Sequence, residues 1–239
     1  MLLAVPPGGK DHEATSPCDE VGPCRWVAAA TDSREVLLRL NLTRAVKALI
    51  RDVALHLPEL AHVRPGRILV VAGEARRASR ATIRPAHFDG TGERAGAGAR
   101  RKPLIRVKGR KILYVITLRP LWFLDSTPEQ RVQTILHELY HASRAFDGTL
   151  DRARRHSRLP LASYDRRIRR LAERYLAEAP PELLAPFATS GLVRARMWLE
   201  RPAAASDEEA YRGRRVYTEK QLFLGPVRMV TRRAGRKVH

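Results

Sequence analysis

Thr127-Pro128-Glu129-Gln130-Arg131-Val132-Gln133-Thr134-Ile135-Leu136-His137-Glu138-Leu139-Tyr140-His141 is the stretch from which the rest of this chain is read. Its start carries helix-initiating chemistry. Thr127 is a predicted N-cap, Pro128 suits the first helical position, and Gln130 can close a capping box. Val132, Ile135, Leu136, Leu139 and Ser143 then recur at helical spacing, so one face should turn to a core. His137 and His141, four residues apart, share a face beside that stripe. Two neutral imidazoles on one helix face are ready ligands for Zn²⁺. Glu138, one step round the helix, can take a proton from a water held at such a metal. The competing reading is a half-buried helix whose histidines bond to backbone and bind nothing. Two His with Glu at this spacing, on a capped helix, favour the metal.

Zinc needs a third protein ligand, and a catalytic site keeps a further position for water. Downstream, Asp147-Gly148 predicts a turn that ends the helix and reverses the chain. Four residues compete for the third position: His156, fifteen residues after His141, and the carboxylates of Asp147, Asp151 and Glu173. With Glu173 the set would be two His and one Glu. Divalent metals other than zinc also suit an imidazole site.

Ile135 to Leu176 resembles a family of metallopeptidases of phages, bacteria and archaea, itself related in design to SprT-like zincins. The resemblance lies in Ile135-Leu136-His137-Glu138-Leu139-Tyr140-His141, Phe146-Asp147-Gly148-Thr149-Leu150, Arg155-His156, Tyr164-Asp165 and Tyr175-Leu176. It implies one zinc ion per chain on His137, His141 and His156, with Glu138 as the base and a peptide bond as the bond cut. The fold it implies is α+β and zincin-like. That fold has a long N-terminal helix, a small mixed β-sheet, the HExxH helix and a supporting C-terminal helix. SprT-like proteins often add a Cys-rich zinc ribbon at the C-terminus, whereas this chain has no Cys after Cys24.

Composition sets the frame. The 239 residues, 44% hydrophobic, suit one domain with tails and loops. We expect a flexible tail over 1–30, the metallopeptidase domain over 31–180, and an extension with short strands and a basic tail over 181–239. Cys18 and Cys24 lack the spacing of a zinc knuckle and read as free thiols. No apolar run approaches the roughly 18 residues that span a bilayer. Met1-Leu2-Leu3-Ala4-Val5 meets Pro6-Pro7 without a basic segment before it, so a cytoplasmic location is expected.

The net charge is +20, from 45 Lys and Arg against 25 Asp and Glu. An excess on this scale is consistent with nucleic-acid contact. The alternative function is therefore a basic, nucleic-acid-associated protein in which the HExxH site is structural or inactive. No helix-turn-helix, zinc finger or RNA-binding sheet motif is found.

Along the chain, Asp32 or Ser33 is expected to cap a helix that runs to about Leu57, with Val36, Leu37, Leu40, Val46, Leu49, Ile50 and Val53 on its apolar stripe. Pro58 should end it. Residues 67–73 read as a buried strand. Residues 74–103, where Arg76, Arg77, Arg80, Arg84, Arg94, Arg100 and Arg101 mix with Gly90, Gly92, Gly96 and Gly98, read as a long basic loop. Leu104-Ile105-Arg106-Val107 and Ile112 to Leu118 read as a hairpin around Lys108-Gly109-Arg110. The second of those strands is the expected edge for an extended substrate. Leu121, Trp122 and Phe123 are expected beneath the HExxH helix. Tyr164 to Leu176 reads as a second helix, and Tyr164 or Tyr140 is a candidate donor to an oxyanion, with packing as the competing role. Residues 192–199 and 217–230 contain short apolar runs that suggest a closing strand pair.

Overall fold

Ile68-Leu69-Val70-Val71-Ala72 forms a strand, β1, that is buried on both faces. The computed structural model describes residues 40–74, 79–86, 104–154, 161–202 and 216–229. Parallel strands need cover on both sides, which is why this run is apolar without alternation. β1 (Ile68–Ala72) lies parallel to β5 (Tyr114–Leu118) and to β6 (Gly191–Trp198). β2 (Ala81–Pro85) runs antiparallel outside β5, and β8 (Leu222–Met229) antiparallel outside β6. The resulting order is β2-β5-β1-β6-β8. A smaller mixed sheet, in the order β4-β3-β7, joins β3 (Leu104–Val107), β4 (Arg110–Lys111) and β7 (Val216–Tyr217).

Alternate β1 side chains point to opposite faces. Ile68, Val70 and Ala72 enter a large core with the helices, while Leu69 and Val71 pack against Ile105, Ile112 and Tyr217 on the other side. The architecture is α+β, with helices on one face of the larger sheet and the small sheet on the other. Five helices are described. These are α1 (Leu42–His56), α2 (Pro120–Leu124), α3 (Pro128–Tyr140), α4 (Leu161–Glu178) and α5 (Pro181–Ala188). None of the described helices is long and apolar enough to cross a membrane.

Several expectations change. The first described helix begins at Leu42, because the Asn41 side chain accepts from Arg44 N at 3.0 Å and Asn41 itself bridges to Arg194 in extended form. Asp32, Ser33, Val36 and Leu37 lie outside the described residues. The end is as expected, with Leu57 as C-cap and Pro58 opening a short 3₁₀ turn. The basic loop contains a strand, β2, and its flanks at 75–78 and 87–103 lie outside the described residues. The hairpin closes much earlier than expected. Lys108 and Gly109 have φ of 50° and 71°, a turn that pairs Val107 with Arg110. The chain then crosses into the larger sheet, where β5 is enclosed by β1 and β2 and has no open edge. Phe123 is fully buried, but Leu121 is 71% exposed. The apolar runs near the C-terminus do pair, as β6 and β8, and Phe187, Val193, Ala195, Val227 and Met229 share the large core.

Arg131 anchors α3. It is 0% exposed and donates to the carbonyls of Phe187 (2.6 Å), Leu124 (2.6 Å) and Thr189 (3.2 Å). One guanidinium therefore joins the ends of α2, α3 and α5.

Candidate functional site

The start of α3 is realised as its sequence predicts, whereas the helix ends at Tyr140 with His141 as its C-cap, before Ser143 and the Asp147-Gly148 turn. Thr127 Oγ1 accepts from Gln130 N, and Gln130 Oε1 accepts from Thr127 N, completing the capping box. Val132, Ile135, Leu136 and Leu139 are buried, while His137 and His141 are half-buried at the border of that stripe. Their Nε2 atoms are 3.2 Å apart. Two nitrogens held by one tetrahedral ion at about 2.0–2.1 Å would stand about 3.3–3.4 Å apart, so the pair fits a shared metal.

His141 is also oriented for that role. Its Nδ1 is 3.0 Å from the Arg154 carbonyl oxygen. A carbonyl only accepts, so Nδ1 carries the proton and Nε2 presents its lone pair toward His137. This is the arrangement by which a metal-binding His is usually fixed.

The loop that supplies Arg154 is firmly built. Gly148, at φ 95°, and Phe146, at φ 49°, turn the chain after α3, and Ala142 bridges back to Leu150. Tyr114 on β5 pins this turn. Its hydroxyl donates to Thr149 O (2.7 Å) and accepts from Gly148 N (3.1 Å). Asp151 N then donates to His141 O at 2.9 Å. The Arg154 guanidinium lies 4.1 Å over the Tyr140 ring, donates to Tyr140 O and pairs with Asp151 at 3.2 Å.

Glu138 sits behind the histidines at 7% exposure. Its Oε2 accepts from Ile83 N at 2.7 Å, which ties α3 to β2. Burial pushes its carboxyl up to about 7, opposed by the Ile83 N–H. A carboxyl near neutrality can both take and return a proton. Tyr164, at the start of α4, is 1% exposed and stacks on His141, with its hydroxyl 3.2 Å from His141 Nε2. Burial, and then the nearby Glu138 charge, raise its phenol above the usual range. Tyr140 packs edge-on against Tyr164 and does not reach the histidine pair in this way.

Of the candidate third ligands, Asp147 is bound within its own turn by Thr149 N and Oγ1. Asp151 is engaged by Ala153 N and by Arg154. Glu173 is exposed, nine residues beyond Tyr164 and so on the opposite face of α4. Among the described residues, no third His, Cys, Asp or Glu completes a metal-binding group with the pair. His156, Cys18 and Cys24 lie outside the described residues.

The sequence did not mark Ile83 or Arg154 as site residues. Both act through the backbone, as N–H and C=O, which leaves no side-chain signature. None of the protein-family models matches this chain, and neither a curated protein nor a solved structure matches it.

Proposed function

We propose that this chain is a zincin-like, zinc-dependent peptidase, with His137, His141 and His156 as metal ligands and Glu138 as general base. The observation that carries the reading is the convergence of His137 and His141 Nε2 beside the buried Glu138, with His141 Nδ1 fixed by the Arg154 carbonyl. His156, two residues after Arg154 in the sequence, is taken as the third ligand because the family resemblance implies it.

When bound, zinc would supply Lewis acidity to a water and to the scissile carbonyl. The remaining work falls to the chain. Glu138, held by Ile83 N–H, accepts the proton from water and returns it to the leaving amine. Tyr164 Oη, beside His141, would donate to the oxygen that gains negative charge. The substrate strand would lie along β2, the edge strand that Glu138 touches, rather than along β5. Ile83 N–H is already taken by Glu138 and Pro85 has none, so the rim would hold a peptide mainly through the Ile83 carbonyl.

Elemental analysis of wild type beside His137→Ala and His156→Ala tests the centre. About one zinc per chain, lost in both variants, is expected. A wild type that takes up no zinc would overturn the proposal, and unchanged zinc in His156→Ala would move the third ligand elsewhere. Glu138→Gln should keep zinc and lose turnover of a quenched-fluorescence peptide library. Robust cleavage by that variant would remove Glu138 as the base.

A further inference from the structure

A groove of about 440 Å³ runs between α4 and the Pro58–Leu60 turn. Arg166, Arg167, Arg170 and Arg174 line it, with Leu171 at its floor and Glu59 on the far wall. On an α-helix, residues 166, 170 and 174 fall in one row at steps of about 6 Å. The acids of the same helix, Asp165, Glu173 and Glu178, do not line the groove. Glu59 is matched by Arg174 at 2.5 Å, and that contact holds its carboxyl below the usual range despite some burial. Arg167 extends over the Tyr140 ring at 5.4 Å. That leaves Arg166 and Arg170, both exposed, with no ion pair among the described residues. The groove thus carries an excess of positive charge in a concave place.

We propose that this groove binds the phosphate backbone of a single nucleic-acid strand. A single row of guanidinium groups tracks one strand, and Arg matches phosphate oxygens in bidentate fashion. The formal charge of +20 would draw such a polyanion to the surface as a whole. The arginine row meets phosphates rather than base edges, and the lining holds no aromatic side chain, so binding is indifferent to sequence. An acidic peptide fits less well, because the groove offers its side chains only Leu171 as an apolar contact. The strand would run along the same helix that carries Tyr164 to the histidine pair, on a different face of it. A protein already bound to that strand would then be brought to the site.

Fluorescence anisotropy of a labelled oligo(dT), titrated at several salt concentrations, tests the groove without using any hydrolytic activity. Arg166→Glu/Arg170→Glu should bind at least about tenfold more weakly, with a log K against log salt slope shallower by about 1.4 for two lost phosphate contacts. Arg194→Glu/Arg228→Glu, which alters two exposed arginines on β6 and β8 by the same charge, should retain nearly full affinity. Thermal melts of both variants control for folding. Equal loss in the two variants would show diffuse attraction and overturn the groove. No loss in the groove variant would do the same. Displacement of oligo(dT) by poly-glutamate at equal or lower charge concentration would overturn the nucleic-acid assignment in favour of an acidic protein partner.

Discussion

Arg131 and Glu138 are both charged, both buried and both on α3, yet the two ends of that helix treat charge in opposite ways. Arg131 spreads its charge over three carbonyl oxygens and stays an anchor. Glu138 receives one backbone N–H, and burial pushes its carboxyl up to about 7. A buried guanidinium held by several carbonyls is structural, whereas a buried carboxyl met by a single N–H is poised to exchange a proton. The same thirteen-residue helix thus fixes its start and leaves its end reactive.

Removing the anchor should have the largest effect. Arg131→Ala strips three carbonyls of their donor and opens a void, so we expect a loss of about 3 kcal/mol or more in urea unfolding. A loss under about 1 kcal/mol would mean that Arg131 does not hold the helix ends together.

The other end should respond with the opposite sign. A carboxyl ordinarily near 4.5 that sits near 7 in the folded protein costs stability as pH rises from 4.5 to 7, and the full cost applies above 7. Metal-free Glu138→Gln should therefore be more stable than wild type by up to about 3 kcal/mol at pH 8. The gain should shrink to almost nothing at pH 4.5 and vanish below about pH 4, where the carboxyl is protonated in both states. Equal melting of the two proteins at pH 8 would remove the contrast between the two ends.

A smaller effect is expected at the support between them. Tyr114→Phe leaves Gly148 N–H and Thr149 O without their shared hydroxyl, at a cost of about 1–2 kcal/mol. If the turn positions the Arg154 carbonyl, this variant should also hold zinc more weakly than wild type. Unchanged zinc affinity would confine Tyr114 to stability.

What could be read from the sequence was what is local. Thr127, Gln130 and the spacing of His137 and His141 act within a few turns of one helix, so their positions follow from helical geometry. β2 was hidden because Ala81-Thr82-Ile83-Arg84-Pro85 has little apolar content and sits among Arg and Gly; its pairing with β5 makes it a strand. The start of α1 depends on a contact of the same long-range kind. Asn41 prevails as cap because Leu40 accepts a bond from Arg194, far along the chain. The hairpin is shorter than the sequence suggests, because Ile112 to Leu118 has the composition of a partner strand but the ladder after Lys108-Gly109 ends at Lys111 and the chain leaves for the other sheet.

β1 has a consequence for the order in which the molecule opens. Its even-numbered residues belong to one core and its odd-numbered residues to the other. Neither core can come apart without baring one face of the same strand. The amides of Val70 and Val71 should thus be among the last to exchange with deuterated solvent, at a rate set by global unfolding alone. The small sheet and the helical layer would then report one shared transition, with β1 as the seam along which their stabilities are joined.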